Sequence, residues 1–106
     1  MDENEVVRSL AALAHPVRLQ VFRALVVVGQ TGLTPGTMAE ALAMPPASLS
    51  FHLKELVHAG LVRHERAGRN LVYRAAYDRM NAVLGYLTAH CCQGAQCLEP
   101  AAGCNC

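Results

Sequence analysis

Prolines and glycines divide the first sixty residues into short segments, and this division limits what the chain can fold into. Pro16 and Pro35 each stand where a helix can begin, because proline is tolerated in the first turn of a helix. Pro45-Pro46 interrupts the chain again, and Gly60 suits the left-handed end of a helix. The pattern therefore predicts four short helices, over residues 2–14, 16–28, 35–44 and 47–59.

After Gly60 the spacing of apolar residues changes. Residues 61–66 and 71–74 are rich in strand-forming types and flank a turn, 67–70, that contains Gly and Asn, which predicts a hairpin with a basic tip. Asp78 is placed to cap a fifth helix that runs to about His90. A chain of 106 residues has room for one domain, which we expect over residues 1–92, followed by a flexible tail over 93–106.

Three of the predicted helices carry an apolar stripe at helical spacing, which indicates one buried face each. The stripes are Val6, Leu10 and Leu13; Leu49, Leu53, Leu56 and Val57; and Met80, Val83, Leu84 and Leu87. The longest apolar run, Ala24–Val28, is far shorter than the roughly 20 residues that span a membrane. Residues 1–5 are acidic where a signal peptide would be basic, so we expect a cytoplasmic protein with no membrane partner.

Charge is distributed unevenly along the chain. The formal net charge is only +1, but between Arg18 and Arg79 eight Lys or Arg residues stand against four Asp or Glu residues. Seven of those eight are Arg, whose guanidinium contacts phosphate with two parallel donors. The middle of the chain is therefore a candidate anion-binding surface, and the alternative is a set of scattered, solvated charges.

The order of elements is that of a nucleic-acid-binding module. Two short helices joined by a brief break and followed by a hairpin with an Arg-bearing tip predict a winged helix-turn-helix, a mainly α fold with one β-hairpin in the order ααααββα. In such a fold the second helix enters the major groove and the hairpin reaches neighbouring phosphates. The candidate DNA contacts are Ser48, Ser50, Phe51, His52 and Lys54 on the fourth helix, and Arg66, Arg69 and Arg74 on the hairpin.

Each of these residues also has a purely structural interpretation. His52 borders the apolar stripe and can be a packed, internally hydrogen-bonded side chain, and Ser48 can bond backbone groups in the first helical turn. Phe51 can be a core or dimer contact, and the hairpin arginines can be solvated. The set of residues together carries the prediction.

The five cysteines all lie in the last sixteen residues, at positions 91, 92, 97, 104 and 106. A disulfide-stapled domain distributes cysteines through its fold, normally in even number. An odd cluster in one tail indicates metal binding or redox sensing instead.

Three stretches of the sequence together resemble the ArsR/SmtB family of metalloregulatory repressors, over about residues 5–92. They are Leu13-Ala14-His15-Pro16-Val17-Arg18-Leu19, Ser48-x-Ser50-Phe51-His52-Leu53-x-x-Leu56-x-x-Ala59-Gly60-Leu61-Val62, and Arg66-x-Gly68-Arg69-x-x-x-Tyr73. The resemblance implies a homodimer that binds operator DNA and releases it when a metal or metalloid binds. The first and last helices would form the dimer interface.

The tail resembles the branch of that family whose arsenic site is a C-terminal Cys-Cys pair with a further downstream Cys. This implies that Cys91, Cys92 and Cys97 hold trivalent arsenic or antimony, the expected inducer, with no organic cofactor. Three thiolates suit a metalloid whose lone pair occupies the remaining direction, whereas zinc normally takes four ligands. Cys104 and Cys106 stay open: they are further ligands, an exchange site or an inert end.

Other functions remain as alternatives. The same cysteines suit a thiol redox sensor or a sensor of another thiophilic metal such as cadmium, zinc or lead, and a DNA-binding module without a sensor would leave the tail unused. Catalysis is not expected, because the five histidines are scattered and the sequence has no Ser-His-Asp or Gly-rich phosphate signature.

Overall fold

The computed structural model describes residues 1–90 and contains five helices and one hairpin. The elements are α1 (Glu3–Leu13), α2 (Pro16–Val28), a 3-10 turn (Gly29–Thr31), α3 (Pro35–Ala41), α4 (Pro46–His58), β1 (Val62–Ala67), β2 (Asn70–Ala75) and α5 (Tyr77–Thr88). The predicted order ααααββα and the winged helix-turn-helix architecture are confirmed.

Side-chain caps explain where three of the helices begin. The carboxylate of Asp2 accepts a hydrogen bond from the Glu5 N–H at 2.8 Å, and the Thr34 hydroxyl accepts one from the Thr37 N–H at 3.3 Å. At α2 the cap is His15, whose Nδ1 accepts from the Val17 N–H at 3.2 Å. These bonds satisfy backbone donors that have no partner inside the first helical turn.

The start of α5 differs from the prediction. The sequence places Asp78 as the cap of this helix, but the N-cap residue is Ala76, and Asp78 lies inside the first turn. The Ala76 N–H donates to the Leu61 carbonyl at 2.8 Å, so β2 leads directly into the helix without a polar cap. The carboxylate of Asp78 instead binds Arg63 on β1.

The hairpin is tighter than predicted and has a third, very short partner. Ala67 pairs with Asn70, so the loop is the two residues Gly68 and Arg69. Leu33 then pairs with Tyr73 through two backbone hydrogen bonds of 3.0 and 2.8 Å. The hairpin is therefore attached along β2 to the segment that follows α2.

The core lies between α2, α3, α4 and the base of the hairpin, and α4 contributes three fully buried residues, Leu49, Leu53 and Leu56. The fourth residue of that predicted stripe, Val57, is half-buried. In α1 and α5 the predicted stripes are only partly covered: Val6 and Val83 are buried, Leu13 and Met80 are half-buried against the core, and other large apolar side chains of the same helices extend into solvent. The exposed ones are Val7, Leu10, Leu84 and Leu87.

Within residues 1–90 no single helix has the length and apolar character needed to cross a membrane. Taken together, Glu3–Leu13 and Pro16–Thr31 reach those limits of length and composition, but they bend by 101° at the break between them.

Candidate nucleic-acid interface

The turn between α3 and α4 determines how α4 is presented. The Met44 N–H donates to the Ala39 carbonyl at 3.0 Å, and Ala43 takes a left-handed conformation with φ of 51°. These features end α3 sharply and turn the chain into α4 within a few residues. Because Leu49, Leu53 and Leu56 fix one face of α4 in the core, its opposite face is turned to solvent.

Four of the predicted contacts lie on that solvent-facing side of α4. Ser48, Ser50, Phe51 and Lys54 are all exposed, and Phe51 keeps 54% of its surface accessible although it is aromatic. None of these side chains is part of the hydrophobic core described for residues 1–90. They form a contiguous surface of two hydroxyls, one aromatic ring and one cation.

His52 differs from these four residues because it is partly buried and already engaged. Its Nδ1 accepts a hydrogen bond from Nε of Arg18 at 3.2 Å, and its ring lies 4.7 Å from the ring of His15. Burial, followed by the neighbouring charges of His15 and Arg18, lowers the pKa of His52 below 6.5, although Glu55 acts in the opposite direction. The geometry matches the structural interpretation of this histidine.

The three arginines predicted to contact DNA from the hairpin, here called the wing, fall into two groups. Arg66 and Arg69 are exposed at the tip. Arg74 is partly buried: its Nε donates to the Gln30 carbonyl at 2.6 Å, and its Nη1 binds the carboxylate of Glu65. The tip arginines are available to a ligand, whereas Arg74 joins the wing to the turn after α2.

An ion pair at the base of the wing joins β1 to α5. Nη2 of Arg63 donates to Oδ2 of Asp78 at 2.6 Å. This hydrogen bond holds the pKa of Asp78 below its ordinary value of 3.8 and raises the pKa of Arg63. Both side chains are about two-thirds exposed, so the pair orients the wing more than it stabilises the fold.

The predicted inducer site lies outside the described residues, since Cys91, Cys92, Cys97, Cys104 and Cys106 all fall in 91–106. Within residues 1–90 no cluster of three or more His, Cys, Asp or Glu side chains is placed to hold a metal ion. A cleft of about 530 Å³ beside the wing is lined by Arg63, Glu65, Arg74 and Asp78, whose charges are paired with one another.

The structure also brings to this surface a residue that was not among the predicted contacts. Arg18 lies on α2, and its guanidinium reaches α4, where Cζ is 5.7 Å from the centroid of the Phe51 ring. Arg18 and Phe51 are more than thirty positions apart in the sequence. The one sequence signal that connects them is that each lies in one of the motifs quoted above.

Comparison with known proteins gives the following similarities. The sequence family described as a helix-turn-helix domain (HTH_20) matches residues 13–65. The HTH-type transcriptional regulator NmtR of Mycobacterium tuberculosis is 40% identical over 75 residues, which are 70% of this chain and 58% of that protein. The chain therefore spans little more than half the length of this curated relative.

Two solved structures are also similar. One is the homodimeric winged helix-turn-helix DNA-binding domain of a possible ArsR-family transcriptional regulator from Mycobacterium bovis. Its TM-score is 0.65 at 27% identity, with 91% of this chain and 89% of that chain covered. The other is the AntR antimony-specific transcriptional repressor, with a TM-score of 0.64 at 30% identity over 79% of this chain and 75% of that chain.

Proposed function

Because the chain belongs to the ArsR/SmtB family of winged helix-turn-helix transcriptional regulators, we propose that it is a homodimeric repressor controlled by its C-terminal cysteines. It binds operator DNA and releases it when trivalent arsenic or antimony is bound. The observation that carries the DNA-binding part is α4, one face of which is locked in the core while the other presents Ser48, Ser50, Phe51 and Lys54 to solvent. The family consists of transcriptional regulators, in agreement with the expectation that the chain is not an enzyme.

DNA engagement follows from the two exposed groups of side chains. Hydroxyls and an aromatic ring on α4 suit base edges and thymine methyl groups in the major groove, and Lys54 suits a phosphate. Arg66 and Arg69 extend from the wing toward flanking phosphates. In a two-fold dimer the two α4 helices would lie in successive major grooves, roughly 34 Å apart.

The dimer is supported by the apolar side chains that α1 and α5 leave exposed. The two helices are neighbours, joined by the Arg79–Glu5 ion pair at 3.3 Å, and both carry apolar surface that the protomer leaves uncovered. A small domain rarely leaves such a surface to solvent. The similar Mycobacterium bovis domain is homodimeric.

The inducer is inferred from the cysteine cluster. Cys91, Cys92 and Cys97 supply three thiolates within seven residues, which is the ligand set that suits a trivalent metalloid better than four-coordinate zinc. AntR, which is 30% identical to this chain, is described as antimony-specific. We assign the DNA-binding and dimerisation domain to residues 1–92, which include Cys91 and Cys92, and the Cys-containing tail that supplies Cys97 to 93–106; Cys104 and Cys106 are not assigned.

The first turn of α5 offers a route from the tail to the DNA-reading elements, because four consecutive residues contact four parts of the fold. The Ala76 N–H donates to the Leu61 carbonyl, and the Tyr77 hydroxyl donates to the Val26 carbonyl. Asp78 forms an ion pair with Arg63, and Arg79 forms one with Glu5. A displacement of α5 is therefore expected to move the wing together with the segment that joins it to α4. Typical coupling of this kind changes DNA affinity by roughly 5- to 150-fold.

The proposal is tested by titrating a protein–DNA complex with arsenite, antimonite, zinc, cadmium and peroxide. The DNA is a duplex that the wild-type protein selects from a random-sequence pool. We expect arsenite and antimonite to release DNA from the wild-type protein and from the matched control Cys104→Ser/Cys106→Ser. Cys91→Ser, Cys92→Ser and Cys97→Ser should each lose the response.

Four outcomes contradict the proposal in different ways. A full arsenite response in Cys92→Ser removes the proposed site. Release by peroxide without any metalloid identifies a thiol redox sensor, and release by cadmium or zinc alone identifies a different metal sensor. If the wild-type protein selects no duplex, the DNA-binding function itself is wrong.

A further inference from the structure

Arg18 reaches from α2 onto the solvent-facing side of α4. It lies in the first helical turn after His15-Pro16, and its side chain is partly buried. Nε donates to Nδ1 of His52 at 3.2 Å, and Cζ lies over the Phe51 ring, 5.7 Å from its centroid. Two side chains of α4 thus hold the guanidinium beside the surface that is proposed to enter the groove.

The outer end of this guanidinium has unused hydrogen-bonding capacity. Among residues 1–90, the bond to His52 is the only hydrogen bond of the Arg18 side chain, and neither Nη1 nor Nη2 has a partner. Four N–H donors in a planar arrangement therefore remain available. Phosphate oxygens match that arrangement, because two parallel N–H groups can contact them at once.

The surroundings of Arg18 include both signs of charge. It lines a shallow notch of about 430 Å³ between α1, α2 and α4, together with Arg8, His58 and Glu55. In the described part of the chain Glu55 forms no ion pair with Arg18 or with Arg8. Within residues 1–90 the guanidinium of Arg18 therefore has no ion-pair partner, although it is partly removed from water.

We propose that Arg18 is a DNA-backbone contact: its guanidinium, oriented by His52 and the Phe51 ring, binds a phosphate beside the groove that α4 enters. This inference rests on the proposed DNA-binding function and adds α2 to the contact surface. It assigns His52 and one face of Phe51 to orienting Arg18. An arginine that is already held in place loses little conformational entropy when a phosphate arrives.

The test is the salt dependence of DNA binding, because each phosphate contact releases counterions. The proteins compared are the wild type, Arg18→Gln, Arg18→Lys and the matched control Arg23→Gln, which changes an exposed arginine of the same helix beside a different cleft. The probe is the duplex selected by the wild-type protein, and affinity is measured by fluorescence anisotropy over a series of KCl concentrations. Circular dichroism and thermal melting monitor the fold of each variant.

For Arg18→Gln we expect the slope of log K against log salt to fall by about 0.9 for each protomer. The affinity should fall roughly ten-fold or more, as for the loss of a charged hydrogen bond. Arg18→Lys retains the positive charge but not the two parallel N–H donors of the guanidinium, so it should keep most of the slope and lose part of the affinity. Arg23→Gln should match the wild type in both quantities.

Four results overturn the inference. An unchanged slope in Arg18→Gln, with lower affinity and a lower melting temperature, means that Arg18 only braces α2 against α4. If Arg18→Gln does not fold, an Arg18→Lys protein with wild-type affinity overturns the bidentate contact. If the wild-type protein selects no duplex, the proposed function is wrong as well. If the wild-type protein binds normally and Arg18→Gln has the same affinity and salt slope, only the role of Arg18 is wrong.

Discussion

At the scale of single residues, Gly32 is the glycine among residues 1–90 that leaves least room for a side chain. It has φ of +72°, and a Cβ atom placed there would lie 2.6 Å from Cγ1 of Val72 and 2.7 Å from the Tyr73 carbonyl oxygen. The absence of a side chain lets the backbone of Leu33 pair with Tyr73 and so attach the wing to the body of the domain.

Gly32→Ala should therefore destabilise the protein by about 2 kcal/mol or more, from the left-handed conformation and the overlap with β2 together. Gly36→Ala is the control, since Gly36 lies in α3 and a methyl group there would meet no other atom within 4 Å. That variant should be unchanged or up to about 1 kcal/mol more stable. Urea unfolding measures both free energies, and equal stabilities for the two variants would contradict the steric argument.

His52 makes stability depend on pH in a direction that follows from its lowered pKa. Between the folded-state pKa and 6.5, the unfolded chain binds a proton at His52 that the folded chain does not. The free energy of unfolding should thus rise with pH through this interval and level off above 6.5. His52→Asn, which keeps an acceptor near Nδ1 but does not titrate, should flatten this part of the profile in urea unfolding at several pH values. An identical profile in wild type and variant would contradict the assignment.

The residues of the α4 surface were predictable from helical spacing, because Leu49, Leu53 and Leu56 define the opposite face. The bond between Arg18 and His52 was not, because they are 34 positions apart and come together only when α2 packs on α4. Local pattern specifies which side of a helix is free. It does not specify which distant side chain will occupy part of that side.

At the scale of elements, the wing is bound to the rest of the domain at its base and is exposed at its tip. At the base, Arg63 binds Asp78, and Arg74 binds Glu65 and the Gln30 carbonyl. Arg69 is instead exposed in the two-residue loop. From sequence alone, Arg66, Arg69 and Arg74 are equivalent candidates. Only the packing of the wing against the turn after α2 distinguishes Arg74 from the other two.

Arg69→Gln should lower DNA affinity similarly on specific and random duplexes and reduce the salt slope by about 0.9 for each phosphate that the tip no longer binds. Arg63→Gln, which removes the same charge from the base of the wing, should leave the slope close to that of the wild type. Both are measured by anisotropy titration. An equal decrease of slope in the two variants would indicate a general electrostatic effect and not a contact at the tip.

The start of α5 shows why capping chemistry predicted from sequence is not always used. Asp78 is a good N-cap type at a plausible position, but the backbone leaves β2 in a geometry that begins the helix at Tyr77. The carboxylate is then free to bind Arg63, a partner that lies fifteen positions away and becomes adjacent when the hairpin forms.

At the scale of the whole molecule, the surface of α1 and α5 is the proposed dimer interface. Leu87 on α5 is 57% exposed. Val27 is 77% exposed but lies on α2, outside the proposed interface, and serves as the control. Leu87→Glu should convert the dimer to a monomer without unfolding it, because the side chain is already outside the core of the protomer. Val27→Glu should remain dimeric, as judged by light scattering after gel filtration.

Disruption of the dimer should also weaken DNA binding far more than removal of any one DNA-contacting side chain, since two half-sites no longer act together. A Leu87→Glu protein that is still dimeric, or a Val27→Glu protein that is monomeric, would place the interface elsewhere on the molecule.

The sequence by itself determined the number and order of elements, the helix starts at Pro16 and Pro35, and the free face of α4, because these depend on local backbone preferences and on periodic apolar residues. The tertiary structure alone decided the pairing of Leu33 with Tyr73, the engagement of Arg74 and the position of Arg18 beside His52. Those contacts join residues far apart in the chain. They exist only because burial of the shared core brings the elements together, and side chains at the boundary then find partners that no local pattern encodes.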